Sequence, residues 1–113
     1  MESTATIRNL RSTPRKARLV ADEVRGKMVG DALSMLQYSI RKHAANDIAK
    51  LIKSAVANLQ NKNAGAAVDV DGLRVKEILV EDGPRMKRFR PRAHGRAGKI
   101  LKRMCHITVT VSG

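Results

Sequence analysis

A strongly cationic segment interrupts the second half of this chain of 113 residues. Residues 83–99, GPRMKRFRPRAHGRAGK, hold seven Lys and Arg side chains, three glycines, two prolines and no acidic residue. Such a density of like charge repels itself and hides almost no apolar surface, so this segment is not suited to a packed core. Because strand-like sequence lies on both sides, we expect the segment to form the far end of a β-hairpin.

Both segments that flank the cationic stretch show the alternation of β-strands. In residues 73–83 (LRVKEILVEDG) the apolar positions change phase, which predicts a bulge near Lys76 and Glu77. In residues 100–112 (ILKRMCHITVTVS) the alternation is regular. The inward face that it predicts consists of Cys105, Ile107, Val109 and Val111.

The expected hairpin is too long to remain within a globular body. An extended strand from Leu73 to Arg90 would span about 55 Å, whereas a body of this size is about 30 Å across. The sequence therefore predicts a single domain, with a body formed by residues 1–80 and 103–113 and an arm of about residues 81–102. An isolated two-stranded ribbon is marginal in water, so we expect the arm to become fully ordered only against a partner.

The first predicted helix follows a short strand over residues 5–11 and carries its own start and stop signals. Ser12 or Thr13 is suited to cap the N-terminus, Pro14 fits the first helical position, and Gly26 fits the stop. The apolar positions that repeat with helical period are Ala17, Val20, Ala21 and Val24.

Two further helices are predicted before the hairpin. Residues 30–39 (GDALSMLQYS) indicate a short helix capped by Asp31, and a longer helix runs from about Lys42 to Asn61. The side chains of these helices expected to face the core are Leu33, Leu36, Ala45, Ile48, Ile52, Ala55, Val56 and Leu59. The expected fold class is α+β, with three helices packed on a small antiparallel sheet and a long protruding β-hairpin arm.

The net charge of +13 is unevenly distributed along the chain. All ten Asp and Glu residues precede Gly83, so the last 31 residues carry nine basic side chains and no acid, while residues 1–82 have a net charge of only +4 (14 minus 10). A polyanion is the natural partner for such a chain. Nucleic acid is the first candidate, and an anionic membrane or polysaccharide is the second.

The expected binding surface consists of the cationic arm and the basic face of the first helix. A charged helix face is often merely solvated, so its role stays open on these residues alone. Tyr38 and Phe89 are the only aromatic residues, which favours recognition of phosphates and RNA shape over base stacking. The candidate RNA-binding residues are Arg15, Lys16, Arg18, Arg25, Lys27, Arg85, Lys87, Arg88, Arg90, Arg92, His94, Arg96, Lys99, Lys102 and Arg103.

Little in the sequence points to catalysis, a metal or a cofactor. His43, His94 and His106 have no metal-ligand spacing, and the neighbours Cys105 and His106 would point to opposite faces of a strand. We find no P-loop, nucleophile elbow or zinc motif. With no catalytic motif present, we do not expect an enzyme. The start of the chain lacks the pattern of a secretory signal, so we expect the protein to remain in the cytoplasm.

Two long motifs resemble a known family. TPRKARLVADEVRGK at the first helix and EDGPRMKRFRPRAHGRAGKILKRMCHITVTVS in the arm are similar to the bacterial large-subunit ribosomal proteins called L-twenty-two, and the resemblance extends from about Ala5 to Ser112. It implies a structural protein that binds large-subunit ribosomal RNA and helps its assembly. Arg15, Lys16 and Arg18 would correspond to RNA contacts of the body.

The resemblance also implies a role for the hairpin tip, which in this family lines the nascent-peptide exit tunnel. The implied partners are ribosomal RNA, neighbouring ribosomal proteins including the L-four type, and the nascent peptide, without a membrane, a cofactor or a second copy of the chain. The tunnel-lining residues carried over by position are Met86, Lys87, Arg88, Phe89, Arg90, Pro91 and Arg92.

One alternative from another functional class shares the charge. A free-standing basic nucleic-acid chaperone or nucleoid-type DNA-binding protein would also be strongly cationic, but it would need no single buried seat. Such a protein would spread evenly over DNA, whereas a ribosomal protein would sediment with ribosomes in a fixed ratio.

Overall fold

The structure is a computed structural model that describes residues 2–62, 72–91 and 97–113, with side chains for residues 2–62, 72–87 and 102–113. The elements in these ranges are β1 (Glu2–Leu10), α1 (Pro14–Val24), α2 (Val29–Gln37), α3 (Lys42–Lys62), β2 (Arg74–Pro91) and β3 (Ala97–Ser112). The strands form one antiparallel sheet in the order β1-β3-β2. The predicted α+β class is therefore confirmed.

Strand β3 is the centre of the sheet and pairs with both other strands. Its pairing with β2 runs from Ser112 opposite Arg74 to Ala97 opposite Pro91, which confirms the predicted hairpin. The register shifts between Val75 and Glu77, where the change of apolar phase predicts a bulge. A second shift, between Asp82 and Arg85, has no counterpart in the sequence prediction.

Helix α1 begins and ends where the sequence predicts. Thr13 is the N-cap residue, Pro14 is the first helical residue, and the last helical residue is Val24. Gly26 adopts a φ of 81°, a left-handed conformation that glycine adopts without strain. In this conformation its N–H donates to the carbonyl of Val75 at 2.9 Å, which links the end of α1 to β2.

The prediction that Asp31 caps the second helix is wrong, because α2 begins at Val29 with Met28 as its N-cap residue. The start is set by tertiary pairing, since the Val29 N–H donates to the carbonyl of Leu73 at 3.0 Å and Met28 forms a bridge with Arg74. Asp31 lies in the first turn instead, where its negative charge still favours the helix dipole.

The core lies between the three helices and one face of the sheet. Ile48, Ile52 and Leu59 of α3 are among the largest fully buried side chains, and the inward face of β3 is buried as predicted. Val56 and Leu33 are only partly buried. On the opposite face of the sheet, threonine hydroxyls of β1 and β3 face each other in pairs at 3.3–3.4 Å.

The hairpin continues well beyond this core. The last fully buried side chain is Ile78 on β2 and Cys105 on β3, and the described side chains nearer the tip are exposed or half-buried. The molecule measures 66 × 26 × 15 Å, and its radius of gyration of 17.3 Å exceeds the value of about 13 Å expected for a compact domain of this length. The limits of the arm at residues 81–102 stay a prediction.

Candidate nucleic-acid interface

Helix α1 is held against the outer edge of β2 by two arginines. Arg18 donates to the carbonyl of Val80 at 3.1 Å, and Arg25 donates to the carbonyl of Ile78 at 2.8 Å. These bonds satisfy carbonyl groups of β2, which is an edge strand among the described strands of the sheet. The Arg18 bond also holds the N-terminal half of α1 beside the root of the hairpin.

A first cleft lies between the start of α1 and the root of the hairpin. It has a volume of about 230 Å³, and the basic side chains of Arg15, Arg18, Arg85 and Arg103 line it together with one carboxylate, that of Asp82. Residues far apart in the sequence thus form one cationic surface. Arginine forks at this spacing suit the bidentate recognition of phosphate groups.

A second, larger cleft lies on the other side of the same helix start. It has a volume of about 550 Å³ and is bounded by the residues before α1, the first turn of α3 and the outer part of β3. Among the described residues that line it there is no Asp or Glu. Its basic side chains are Arg11, Lys16, Arg41, Lys42, Lys102 and Arg103, and His43 also lines it.

The structure brings together some of the predicted binding residues and separates others. The ones that share the two clefts are Arg15, Lys16, Arg18, Arg85, Lys102 and Arg103. Arg25 and Lys27 lie beyond the other end of α1, and Arg25 is about 15 Å further along the helix axis than Arg15. The charge of Arg25 is also partly compensated, because its guanidinium forms an ion pair with Asp22 at 2.5 Å.

The register of the hairpin sets basic residues directly opposite each other. Arg85 pairs with Arg103 across the two strands, and Met86 pairs with Lys102. Like charges in directly opposed positions destabilise a strand pair, and anions that bind between them remove this repulsion. Lys87, one step further along β2, is exposed.

Several predicted residues lie beyond what the structure describes. Arg92, His94 and Arg96 lie outside the described residues. For the other predicted residues near the tip the structure gives a place in the strand register only, and these are Arg88, Phe89, Arg90, Pro91 and Lys99.

Four residues of the second cleft were not singled out from the sequence, namely Arg11, Arg41, Lys42 and His43. Each precedes a helix or lies in its first turn. Acidic side chains are usual there, because their negative charge is attracted to the positive end of the helix dipole. Neither α1 nor α3 has an acidic residue in its first turn. This reversal of the usual pattern is the signal in the sequence that could have identified the cleft.

Cys105 and His106, the neighbouring pair considered for catalysis, lie on opposite faces of β3. Cys105 is fully buried on the inner face of β3, and burial raises the pKa of its thiol. His106 lies on the other face, where its Nδ1 accepts a hydrogen bond from the N–H of Asn9 at 3.0 Å. Across the described part of the chain, His, Cys, Asp and Glu side chains nowhere gather in a group of three that could hold a metal.

Helix length and polarity bear on a membrane role. Within residues 2–62, 72–91 and 97–113, no helix combines the length and the apolar character needed to span a bilayer.

A small α+β body that gathers arginines and lysines around the root of a β-hairpin has the surface of a nucleic-acid-binding protein. Sequence comparison places it more narrowly. The chain belongs to the family of ribosomal protein L22p/L17e, whose family model matches residues 5–112. It is 50% identical over 112 residues to the large ribosomal subunit protein uL22 of Mesoplasma florum, a match that covers 99% of this chain and 96% of that relative.

Proposed function

We propose that this chain is a structural RNA-binding component of the large ribosomal subunit in the cytoplasm, and that it helps the ribosomal RNA to assemble. The observation that carries the proposal is the convergence of basic side chains from α1 and from both hairpin strands on one surface. Membership of a ribosomal protein family supports the same function. The protein acts by binding and positioning RNA, not as an enzyme, and it needs no cofactor.

Phosphate contacts at the hairpin root provide the affinity. Each Lys or Arg that neutralises a phosphate releases condensed counterions. For each such contact, the logarithm of the affinity falls by about 0.7 to 0.9 per log unit of salt concentration. Arg15, Arg85 and Arg103 make such contacts from three different elements, so RNA bound here bridges helix α1 and the hairpin. The same chemistry extends to the other basic residues named as candidates in the sequence.

The tip of the hairpin has a separate role in this proposal. Residues 86–92 line the narrow part of the peptide exit tunnel, opposite a protein of the L-four type, and face the nascent peptide. The support for this role is the resemblance of the arm sequence to the family, together with a hairpin whose strand pairing continues to Pro91 and Ala97. In the ribosome the chain is present without a second copy of itself.

Co-sedimentation tests the proposed function against the nucleoid alternative. The tagged full-length chain, expressed in bacterial cells, is expected to sediment with large ribosomal subunits in a fixed ratio near one. In a purified system it is expected to bind large-subunit ribosomal RNA with an affinity that falls steeply as salt increases. An even distribution over DNA, with no fixed ratio to ribosomes, would contradict the proposal and favour the nucleoid-type protein.

A further inference from the structure

We infer that the second cleft is a binding site for the sugar-phosphate backbone of RNA. The cleft lies on the body of the protein, between the starts of α1 and α3 and the outer part of β3. This inference rests on the proposed function and extends it to Arg11, Arg41 and Lys42, which are not among the binding residues predicted from the sequence. It gives the start of α3 a binding role, through Arg41 and Lys42, that neither the arm nor the helix α1 surface implies.

The charge of the cleft is not compensated within the described part of the chain. Six Lys and Arg side chains line a volume of about 550 Å³, and no carboxylate in the described ranges forms an ion pair with any of them. The first cleft includes Asp82, whereas the lining of this one includes no acid. Cations in one cleft repel each other, and a bound polyanion offsets this repulsion because it attracts each of them.

The position of the cations runs against local helix stability. Lys16 lies in the first turn of α1 and Lys42 is the first residue of α3, where a positive charge interacts unfavourably with the helix dipole. The two helix starts alone would not define a site. Here, however, Lys16 and Lys42 line one cleft together with four further basic side chains from three segments.

The size and the rim of the cleft favour a nucleotide backbone over a single small anion. Ile40, 95% exposed, lines the rim of the same cleft. A ribose or the face of a base can cover this apolar side chain, whereas an isolated phosphate ion cannot. The volume also exceeds what a single phosphate group fills, so two or more successive phosphates fit the six cations.

The test compares two double variants of the full-length chain that remove the same charge from the same region of the body. Arg41→Gln with Lys42→Gln removes two cations of the cleft, and Lys50→Gln with Lys53→Gln removes two exposed cations further along α3. Circular dichroism and urea unfolding first establish that both variants are folded. Binding to a large-subunit ribosomal RNA fragment is then measured over a range of salt concentrations.

We expect the cleft variant to reduce the slope of log affinity against log salt by about 1.4 to 1.8, the value for two lost phosphate contacts, and the control to leave the slope nearly unchanged. If the slope of log affinity against log salt falls equally in the two variants while the unaltered chain binds the RNA, the cleft assignment is wrong and the proposed function stands. If the unaltered chain neither binds the RNA nor sediments with the large subunit, the proposed function itself fails.

A third result would identify a different occupant. If the cleft variant binds free RNA as the control does, yet is incorporated less well into large subunits, then an acidic segment of a neighbouring protein occupies the cleft. That result would overturn the assignment to RNA.

Discussion

Cys105 is a fully buried thiol in a chain that has one cysteine. Since burial raises its pKa, the thiolate is scarce in the folded protein, and we predict slow labelling by a thiol reagent at neutral pH and rapid labelling in denaturing urea. The unfolded chain ionises first as pH rises, so the stabilising effect of burying the thiol is complete below the unfolded pKa and is lost as pH rises through the folded pKa.

Urea unfolding of the wild type and of Cys105→Ala between pH 7 and pH 10 measures this effect. The stability advantage of the wild type is expected to shrink above about pH 8.5, where an unperturbed thiol ionises. Labelling of the native protein as fast as that of the unfolded chain would show that the thiol is accessible.

At the scale of residues, Arg18 and Arg25 make backbone contacts that sequence reasoning does not reveal, while their predicted binding role stays a prediction. Arg18 and Arg25 carry the same charge as Arg15 on the same helix, so the sequence predicts one binding role for all three. In the structure Arg18 and Arg25 donate to carbonyl groups of β2. No local pattern could reveal this, because the acceptors lie more than 50 residues away in the chain.

Gly83, at the second shift of register in β2, is a position where a single methyl group is expected to disturb an element. A Cβ placed there would lie 3.1 Å from the backbone carbon of Met104 and 3.3 Å from the backbone nitrogen of Cys105. Because these atoms belong to the central strand they cannot yield easily, and we predict that Gly83→Ala lowers the free energy of unfolding by about 1 to 3 kcal/mol.

Gly30→Ala is the matched control for this prediction. Gly30 lies in α2, and a Cβ there would meet no atom within 4 Å. Alanine favours the helix, so this change should be neutral or stabilising by up to about 1 kcal/mol. Equal urea midpoints for the two variants would mean that β2 and β3 do not approach as closely as described.

Helices and strands in which apolar residues repeat regularly are predictable from the sequence. Shifts of strand register where no apolar residues mark the phase are not. The shift near Lys76 is visible because apolar residues on both sides of it reveal the phase. The shift between Asp82 and Arg85 contains Gly83 and Pro84, so no apolar side chains on both sides of it reveal a change of phase. The start of α2 is also not visible in the sequence, because a contact between distant segments determines it. The Val29 N–H bonds to the carbonyl of Leu73, just before β2.

At the scale of the whole molecule, the body is expected to fold without the arm. The buried core residues of the described chain all lie outside residues 85–103. We predict that replacing residues 85–103 by an Asn-Gly turn leaves the helical circular dichroism signal and cooperative unfolding in place. The same change should weaken RNA binding and its salt dependence, because the cations of the hairpin are lost.

Thermal unfolding followed by circular dichroism, together with RNA binding across salt concentrations, checks both parts of this prediction. Loss of the helical signal would show that the arm is needed for the body to fold. Unchanged RNA binding would show that the hairpin contributes no contacts.

The uneven charge along the chain is a property of the whole molecule that the sequence alone reveals. The second cleft is not visible in this way, because Arg11, Arg41 and Lys102 come from three distant segments and meet only when α1 and α3 pack against the sheet. Sequence reasoning could predict a cationic arm, since its residues are contiguous. The absence of acidic residues at the starts of α1 and α3 marks some residues of the second cleft, but only the packing of these helices against the sheet shows that they meet.

The sheet order has a consequence for the synthesis of the protein. The central strand β3 is the last described strand along the chain, and in the sheet β1 and β2 each pair with it and not with each other. While a translating ribosome is still making residues 97–112, the two earlier strands have no template on which to align. The body therefore closes only after residues 97–112 have been made, and a copy that terminates before them lacks the strand that joins β1 to β2.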